Sequence, residues 1–330
     1  MTHRVNIVCL GAGRMGRGIA VAFAYAGHRT TMIDVKVRSA KDFTKLEADA
    51  LDEVRKTFAS LSKLGLLSEA DIEPLIARVS VVSAGESGPA LSEAGMVFEG
   101  VPEVVELKRE VLAAASSQVG PDTIIASTTS TILVDDLSGA IVNPHRFLNV
   151  HWLNPAYLIP LVEISPGKAT DPAIIEDVKA LLEGIGKVPV VCAATPGFIV
   201  PRIQALAMNE AARMVEEGVA SAEEIDKAIR YGFGFRYAVL GLLEFIDWGG
   251  GDILYYASRY LEGALGSERY RAPEVISRNM NEGRIGLRTG AGFLDYSGLD
   301  VDAYRAKRLQ AMVDLLRHFG LARPPVLDRN

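Results

Sequence analysis

Short apolar runs rich in β-branched residues alternate with longer segments of helical periodicity from Val5 to Cys192, and this alternation constrains the fold more than any other feature. Such a pattern is typical of a parallel sheet whose strands are joined by crossover helices. The sequence predicts strands at residues 5–10, 30–33, 79–82, 96–99, 123–127, 147–151, 161–164 and 188–191. The chain therefore begins with an α/β domain.

Two further segments depart from this alternation. Residues from about 41 to 78 carry apolar side chains at helical spacing around a break at Leu64-Gly65, which predicts an inserted helical hairpin. After Thr195-Pro196-Gly197 the strand-like runs end. Pro196 and Gly197 mark the domain boundary, because both residues interrupt regular structure. Helical periodicity then continues at residues 199–217, 222–231, 240–261 and 304–319. We predict an α/β domain over residues 1–194 and an all-α domain over residues 195–330.

Composition excludes several classes of protein. With 330 residues, of which 49% are hydrophobic, the chain is long enough for two cores. A formal net charge of -6 argues against a nucleic-acid partner, because binding to a phosphate backbone requires a basic surface. The two cysteines, Cys9 and Cys192, each lie in an apolar run, which predicts neither a disulfide nor a metal site and favours a reducing compartment.

The N-terminal segment lacks the charged and apolar regions of a signal peptide, and no segment has the roughly 18 uninterrupted apolar residues of a membrane span. We therefore expect a soluble cytoplasmic protein without a membrane partner.

A glycine-rich segment, GAGRMG, follows the first predicted strand and opens a helix, which is the setting that the G-x-G-x-x-G pattern requires. Gly11 permits a tight turn, Gly13 permits close approach of a pyrophosphate, and Gly16 permits close packing of helix on strand. The helix N-terminus then favours the bound anion. The first domain is therefore predicted to be a Rossmann-type dinucleotide-binding domain.

Asp34 ends the next strand about 20 residues on, where a carboxylate accepts the ribose hydroxyls and repels a 2′-phosphate. The spacing predicts NAD as the cofactor, although the nearby Arg38 leaves NADP open. The alternative interpretation is that Gly11 and Gly13 only form a turn and that Asp34 only caps a strand.

Beyond these residues, several motifs occur in the order found in one enzyme family. They are VPE ending at Glu103 with Leu107-Lys108, the run from Ala126 to Thr131, HWLNP from His151, LVE ending at Glu163, TPGFIV from Thr195, EIDKA from Glu224 and TGAGF from Thr289. The chain resembles the 3-hydroxyacyl-CoA dehydrogenase family over nearly its whole length. The resemblance implies NAD binding with contributions from Arg14, Met15, Glu103 and Lys108, and a homodimer formed through the C-terminal domain.

Oxidation of a secondary alcohol requires a base for the hydroxyl proton while hydride leaves the carbon, and imidazole suits this exchange. The resemblance implies that His151 is this base, that Glu163 orients it, and that Ser130 binds the substrate oxygen. The alternative interpretations are a core histidine for His151, a surface charge at a strand end for Glu163 and a helix N-cap for Ser130.

Two departures weaken the case for a CoA substrate. The family often has an asparagine directly after TPGFIV, whereas this chain has Pro201, which lacks both a side-chain donor and an N–H. The role of that amide is therefore either lost or supplied elsewhere, by Arg202 or a water molecule. In the inserted helices Lys63 is the only obvious cation for CoA. Asn154 is a further substrate-binding candidate, although a role in shaping the turn before Pro155 is favoured.

A third feature points to a different substrate. The segment GFGFRYA, from Gly232 to Ala238, resembles the lambda-crystallin and L-gulonate dehydrogenase branch, whose dehydrogenases oxidise small hydroxy acids with a free carboxylate. A guanidinium matches carboxylate geometry, so Arg236 is a candidate anchor. A simple salt bridge is the alternative interpretation of Arg236.

Three hypotheses follow. The first is an NAD-dependent dehydrogenase of an L-3-hydroxyacyl-CoA of the 3-hydroxybutyryl-CoA type, which belongs to fatty acid metabolism. The second is an NAD-dependent dehydrogenase of a small free 3-hydroxy acid held by Arg236. The third is a catalytically weakened NAD-binding protein, which the presence of Ser130, His151 and Glu163 opposes and Pro201 favours.

Overall fold

The chain is described by a computed structural model that covers residues 4–326. It divides into two compact units between Met208 and Asn209. This division lies within a long helix, α8 (Val200–Glu216). The domain boundary expected after residue 194 therefore stays a prediction.

The first unit contains one eight-stranded sheet. Its strands are β1 (Asn6–Leu10), β2 (Arg29–Asp34), β3 (Val79–Ser83), β4 (Met96–Glu99), β5 (Ile124–Ser127), β6 (Phe147–Trp152), β7 (Leu161–Pro166) and β8 (Val188–Val191). The strand order is β3-β2-β1-β4-β5-β6-β7-β8. All predicted strands are confirmed within two residues at each end.

One strand pair differs from the parallel pattern. β7 runs antiparallel to β6, and β8 pairs in parallel with β7. Only residues 153–160 connect β6 to β7, and they contain no helix. A parallel connection needs about a dozen or more residues, so this short connection returns the chain beside β6 in the opposite direction.

Helices cover both faces of this sheet. They are α1 (Arg14–Tyr25), α2 (Ala40–Lys63), α3 (Ile72–Ile76), α4 (Gly88–Ser92), α5 (Val105–Ser116), α6 (Val134–Ser138) and α7 (Pro172–Gly184). Alternate side chains of a strand point to opposite faces. In β1, Ile7 and Cys9 accordingly enter one apolar cluster, while Val8 and Leu10 enter the other.

The insertion between β2 and β3 is mostly one helix. Ser39 caps α2 by accepting a hydrogen bond from the Asp42 N–H at 3.2 Å, and α2 continues for 24 residues to Lys63. A 3₁₀ turn and the five-residue α3 follow it. The second arm of the expected hairpin is therefore much shorter than the first.

The second unit is helical, as predicted. It contains α9 (Ala222–Ala228), a π-helical turn (Ile229–Gly234), α10 (Phe235–Tyr237), α11 (Leu242–Gly249), α12 (Gly251–Leu265), α13 (Glu274–Asn281) and α14 (Val301–His318). The helix expected over residues 240–261 is interrupted at Gly250, whose φ of 109° requires glycine. The helix α13 was not among the predicted helices. Between residues 4 and 326 no helix has the length and apolar character needed to cross a membrane.

A buried carboxylate organises the loop before α14. Asp247 is 2% exposed and accepts hydrogen bonds from the Phe293 N–H at 2.9 Å and the Leu294 N–H at 2.8 Å. A Cβ atom on Gly292 would lie 2.0 Å from the Asp247 Oδ1 atom. The TGAGF motif is therefore explained by packing against this carboxylate.

Candidate active site

The turn between β1 and α1 leaves space for a ligand at only one of its glycines. Gly11 has a φ of 113°, and a Cβ on Gly16 would lie 2.1 Å from the Gly11 carbonyl oxygen, so both are required by the backbone. A Cβ on Gly13, by contrast, would meet no atom within 4 Å. The open position is the one expected to face a pyrophosphate.

The N-terminus of α1 can hold an anion. Gly13 is its N-cap and supplies no side-chain cap, and the first turn, which contains Arg14 and Met15, has no acidic residue. The free N–H groups and the positive end of the helix dipole suit a pyrophosphate. Asp34 lies at the end of β2 and is 5% exposed. These residues fit a dinucleotide with a free ribose 2′-hydroxyl.

Ser130, His151 and Glu163 form one hydrogen-bonded chain. His151 and Glu163 are paired opposite each other in the β6–β7 ladder, and the His151 Nδ1 atom lies 2.8 Å from Glu163 Oε2. The Ser130 Oγ atom lies 3.1 Å from His151 Nε2. Since a carboxylate only accepts hydrogen bonds, Nδ1 carries the proton and Nε2 is left with a lone pair. Nε2 is thus the basic atom.

The start of α8 fixes the second oxygen of Glu163. The N–H groups of Ile199 and Val200 both donate to Glu163 Oε1 at 2.9 Å. Two backbone donors at a helix N-terminus stabilise the ionised carboxylate, which is 1% exposed. Pro201 follows as the second residue of α8, where a missing N–H breaks no helical hydrogen bond.

An aromatic ring covers the imidazole. Phe198 stacks on His151 with 5.3 Å between ring centroids and 29° between planes. Phe198 has a φ of 44°, an uncommon value for a non-glycine residue, and follows Gly197 with a φ of 79°. Phe198 is 4% exposed, so it also shields the imidazole from water. Phe198 was not among the predicted site residues.

Glu103 organises the loop that carries Ser130. Its Oε1 atom accepts hydrogen bonds from the Ser130 N–H at 3.1 Å, from the Thr131 hydroxyl at 2.9 Å, and from the Thr129 hydroxyl. Burial alone would raise the pKa of Glu103, but the Thr129 hydroxyl and the charge of Lys108 outweigh it and lower that pKa. The carboxylate therefore remains ionised while it holds the loop.

Lys108 is engaged within the protein. It is 1% exposed, and its Nζ lies 2.8 Å from Glu99 Oε1, 3.1 Å from the Val101 carbonyl oxygen and 3.2 Å from Glu103 Oε2. Glu99 is fully buried and also accepts from the Ser127 hydroxyl at 2.6 Å. This geometry favours a role for Lys108 in orienting Glu103. Direct contact between Lys108 and the cofactor stays a prediction.

The candidate substrate residues belong to three separate elements of the chain. Asn154 lies in the exposed connection after β6 and lines a cavity of about 350 Å³ together with Arg14 and Arg17 of α1. Lys63 is exposed at the last residue of α2. Arg236 belongs to the second unit, where its Nε donates to the Gly232 carbonyl oxygen at 2.9 Å. Its guanidinium carbon lies 4.7 Å from the centre of the Phe245 ring.

Some of the missed residues had a signal in the sequence. Glu99 ends an apolar strand, MVFE, just as Glu163 follows the apolar residues Leu161 and Val162. A carboxylate within a buried strand is a signal for a buried, hydrogen-bonded charge. The roles of Phe198 and of the Ile199 and Val200 amides depend on chain direction after β8 and had no such signal. The residues described, 4–326, contain no cluster of three or more side chains suited to a metal ion.

Comparisons with known sequences agree with this geometry. Residues 6–195 match the sequence model of the 3-hydroxyacyl-CoA dehydrogenase NAD binding domain. Residues 197–296 match the model of the 3-hydroxyacyl-CoA dehydrogenase C-terminal domain. Together the two matches cover most of the chain.

Individual relatives span nearly the full length. A 5-formyl-3-hydroxy-2-methylpyridine 4-carboxylate 5-dehydrogenase of Mesorhizobium japonicum is 30% identical over 313 residues, 94% of this chain and 97% of the relative. A 3-hydroxybutyryl-CoA dehydrogenase of Bradyrhizobium diazoefficiens is 32% identical over 290 residues, 88% of this chain and 94% of the relative. The crystal structure of a 3-hydroxyacyl-CoA dehydrogenase from Archaeoglobus fulgidus gives a TM-score of 0.75 at 32% identity, covering 97% of this chain and 100% of that chain.

Proposed function

Given that this chain belongs to the 3-hydroxyacyl-CoA dehydrogenase family, whose members are NAD-dependent oxidoreductases acting on a CH–OH group, we propose that it oxidises an L-3-hydroxyacyl-CoA to the 3-oxoacyl-CoA. The proposed substrate is of the 3-hydroxybutyryl-CoA type. The observation that carries this proposal is the hydrogen-bonded chain from Ser130 through His151 to Glu163. It lies in the same compact unit as the dinucleotide cradle, by which we mean the glycine turn of residues 11–16 at the start of α1.

His151 acts as the general base in this reaction. Its Nε2 lone pair takes the proton of the substrate hydroxyl, and the imidazolium that forms is stabilised by Glu163, 2.8 Å from Nδ1. The amides of Ile199 and Val200 hold the carboxylate in this orientation throughout. In the reverse direction the same imidazolium returns the proton to the carbonyl oxygen.

Ser130 binds the reacting oxygen. Its hydroxyl lies 3.1 Å from His151 Nε2, so an oxygen that contacts both groups lies within hydrogen-bond reach of donor and base together. Glu103 fixes the position of this hydroxyl through the Ser130 N–H. Phe198 excludes water from one face of the imidazole.

The cofactor is held by the first unit. The N–H groups at the start of α1, above Gly13, bind the pyrophosphate, and Asp34 accepts the ribose hydroxyls. Gly11 and Gly16 allow the turn that exposes these groups. Bound NAD supplies the acceptor for the hydride that leaves the substrate carbon.

A second candidate substrate is a small free 3-hydroxy acid. The Mesorhizobium japonicum relative, by its name, acts on a pyridine carboxylate and matches 94% of this chain. Arg236 is the candidate anchor for such a carboxylate. Its Nε is used by Gly232, which leaves the terminal nitrogens of the guanidinium for a ligand.

The two substrates are distinguished by NADH oxidation with acetoacetyl-CoA and with free 3-oxo acids. We expect the wild type to turn over the thioester, and we expect the Arg236→Ala variant to retain this activity. Turnover limited to free acids and abolished by Arg236→Ala would replace the first proposal by the second. If NADH binds but neither substrate class is reduced, a catalytically weakened NAD-binding protein is the correct interpretation.

We also propose that the protein works as a cytoplasmic homodimer formed through the second unit. On α12 the side chains of Ile253, Tyr256 and Tyr260 are spaced for one helix face and are exposed by 62%, 64% and 73%. Exposed apolar side chains in such a row are typical of an interface. Light scattering of the wild type and of Tyr256→Glu tests this assembly, since only the variant should be monomeric.

A further inference from the structure

The ribose carboxylate is already paired with a cation. The Arg38 Nε atom lies 2.6 Å from Asp34 Oδ2, and the Lys36 N–H donates to Asp34 Oδ1 at 3.3 Å. The Asp34 side chain is 7% exposed and the Arg38 side chain 29% exposed. The guanidinium is therefore the more exposed partner of this pair.

This pairing changes how the site selects its cofactor. A lone carboxylate selects NAD in two ways, by accepting the ribose hydroxyls and by repelling a 2′-phosphate. Arg38 neutralises the charge of Asp34 and so removes most of the repulsion. A guanidinium at this position is also the group that accommodates a 2′-phosphate, because its planar donors match phosphate oxygens.

The surrounding segment favours an anion. Between β2 and the first turn of α2 the charged residues are Asp34, Lys36, Arg38, Lys41 and Asp42, so cations outnumber carboxylates. The carboxylate of Asp42 is engaged by the Ser39 hydroxyl at 2.7 Å, and Lys36 is exposed. Arg38 thus has no second carboxylate partner among the ion pairs of residues 4–326.

We propose that this chain binds NADP as a second cofactor at the same site, with the Arg38 Nε remaining on Asp34 and the terminal nitrogens of the guanidinium contacting the 2′-phosphate. The proposal rests on the proposed role of Asp34 in ribose binding. When NAD is bound, Arg38 pairs only with the carboxylate; when NADP is bound, the same guanidinium bridges the carboxylate and the phosphate. Arg38 therefore sets the ratio of the two affinities.

Calorimetric titration of NADH and NADPH tests this proposal without any substrate. For Arg38→Ala we expect NADPH affinity to fall by about tenfold or more, the loss of a charge-assisted contact, while NADH affinity changes by less than about threefold. Asp34→Ser should shift the preference toward NADPH, because Arg38 is then free. Lys45→Ala, an exposed cation of α2 outside this segment, is the matched control and should leave both affinities unchanged.

The outcomes separate this proposal from the proposed function. Tight NADH binding with no detectable NADPH binding to the wild type would overturn the Arg38 proposal and leave the dehydrogenase intact. An Arg38→Ala variant that weakens NADH and NADPH equally would do the same. Failure of both cofactors to bind the wild type would overturn the two proposals together.

Discussion

Glu163 lies directly opposite His151 in the antiparallel β6–β7 pair, and its two oxygens have separate partners. Oε2 lies 2.8 Å from His151 Nδ1, while Oε1 accepts the Ile199 and Val200 N–H groups at 2.9 Å. The carboxylate therefore connects the imidazole to the start of α8. Its orientation does not depend on the imidazole alone.

We predict that Glu163→Gln lowers kcat by about 100-fold or more, because a neutral amide cannot stabilise the imidazolium. The amide oxygen can still accept from Ile199 and Val200, so we expect the fold and the NADH dissociation constant to remain nearly unchanged. Steady-state rates and calorimetry measure the two quantities. His151→Ala should be at least as impaired, and a fully active variant of either kind would remove that residue from the mechanism.

For Ser130→Ala we predict a fall in kcat/KM of about 10- to 100-fold, since one hydrogen bond to the reacting oxygen is lost. The Ser130 N–H that Glu103 holds is retained, so the loop should keep its conformation. Ser117→Ala is the control, because that exposed hydroxyl bonds only to the local Ala114 carbonyl oxygen. Equal effects of the two substitutions would contradict the proposed role.

Two glycines of the cofactor turn should respond differently to alanine. Gly13→Ala places a methyl group in open space, so we expect an almost unchanged melting temperature with weaker NADH binding. Gly16→Ala places a methyl group 2.1 Å from the Gly11 carbonyl oxygen, which should destabilise the first unit strongly. Thermal unfolding and NADH titration of both variants provide the comparison; unchanged NADH affinity of Gly13→Ala would place the pyrophosphate elsewhere.

The acid stability of the protein should depend on Glu103. Its pKa is lower in the folded state than in the unfolded chain, where it has the ordinary value of about 4.3. The stabilisation is therefore present above that value and is lost as pH falls through the folded-state pKa. Glu103→Gln should be less stable than the wild type at pH 7, and the difference should shrink on acidification.

Urea unfolding between about pH 7 and pH 3.5 measures this dependence. Glu106→Gln is a suitable control, because Glu106 is exposed on the same helix, α5. A difference between wild type and Glu103→Gln that stays constant over this range would show that the ionised form of Glu103 is not what stabilises the loop.

The sequence predicted the elements of the fold well. Strand positions depend on local apolar patterning, and the glycine spacing from Gly11 to Gly16 depends on a local turn, so neither requires knowledge of distant residues. The break at Gly250 was missed because helical periodicity continues across it. The helix α13 was missed because it has only eight residues.

By itself, then, the sequence determined the order and type of the elements, the dinucleotide cradle and the family. Only the tertiary structure decided how the site is assembled. The reversal of β7 brings Glu163 opposite His151, the chain after β8 places Phe198 on the imidazole, and the buried Lys108 turns inward to Glu99. These contacts join residues of different elements, and their partners are set by strand register and packing, which no local pattern encodes.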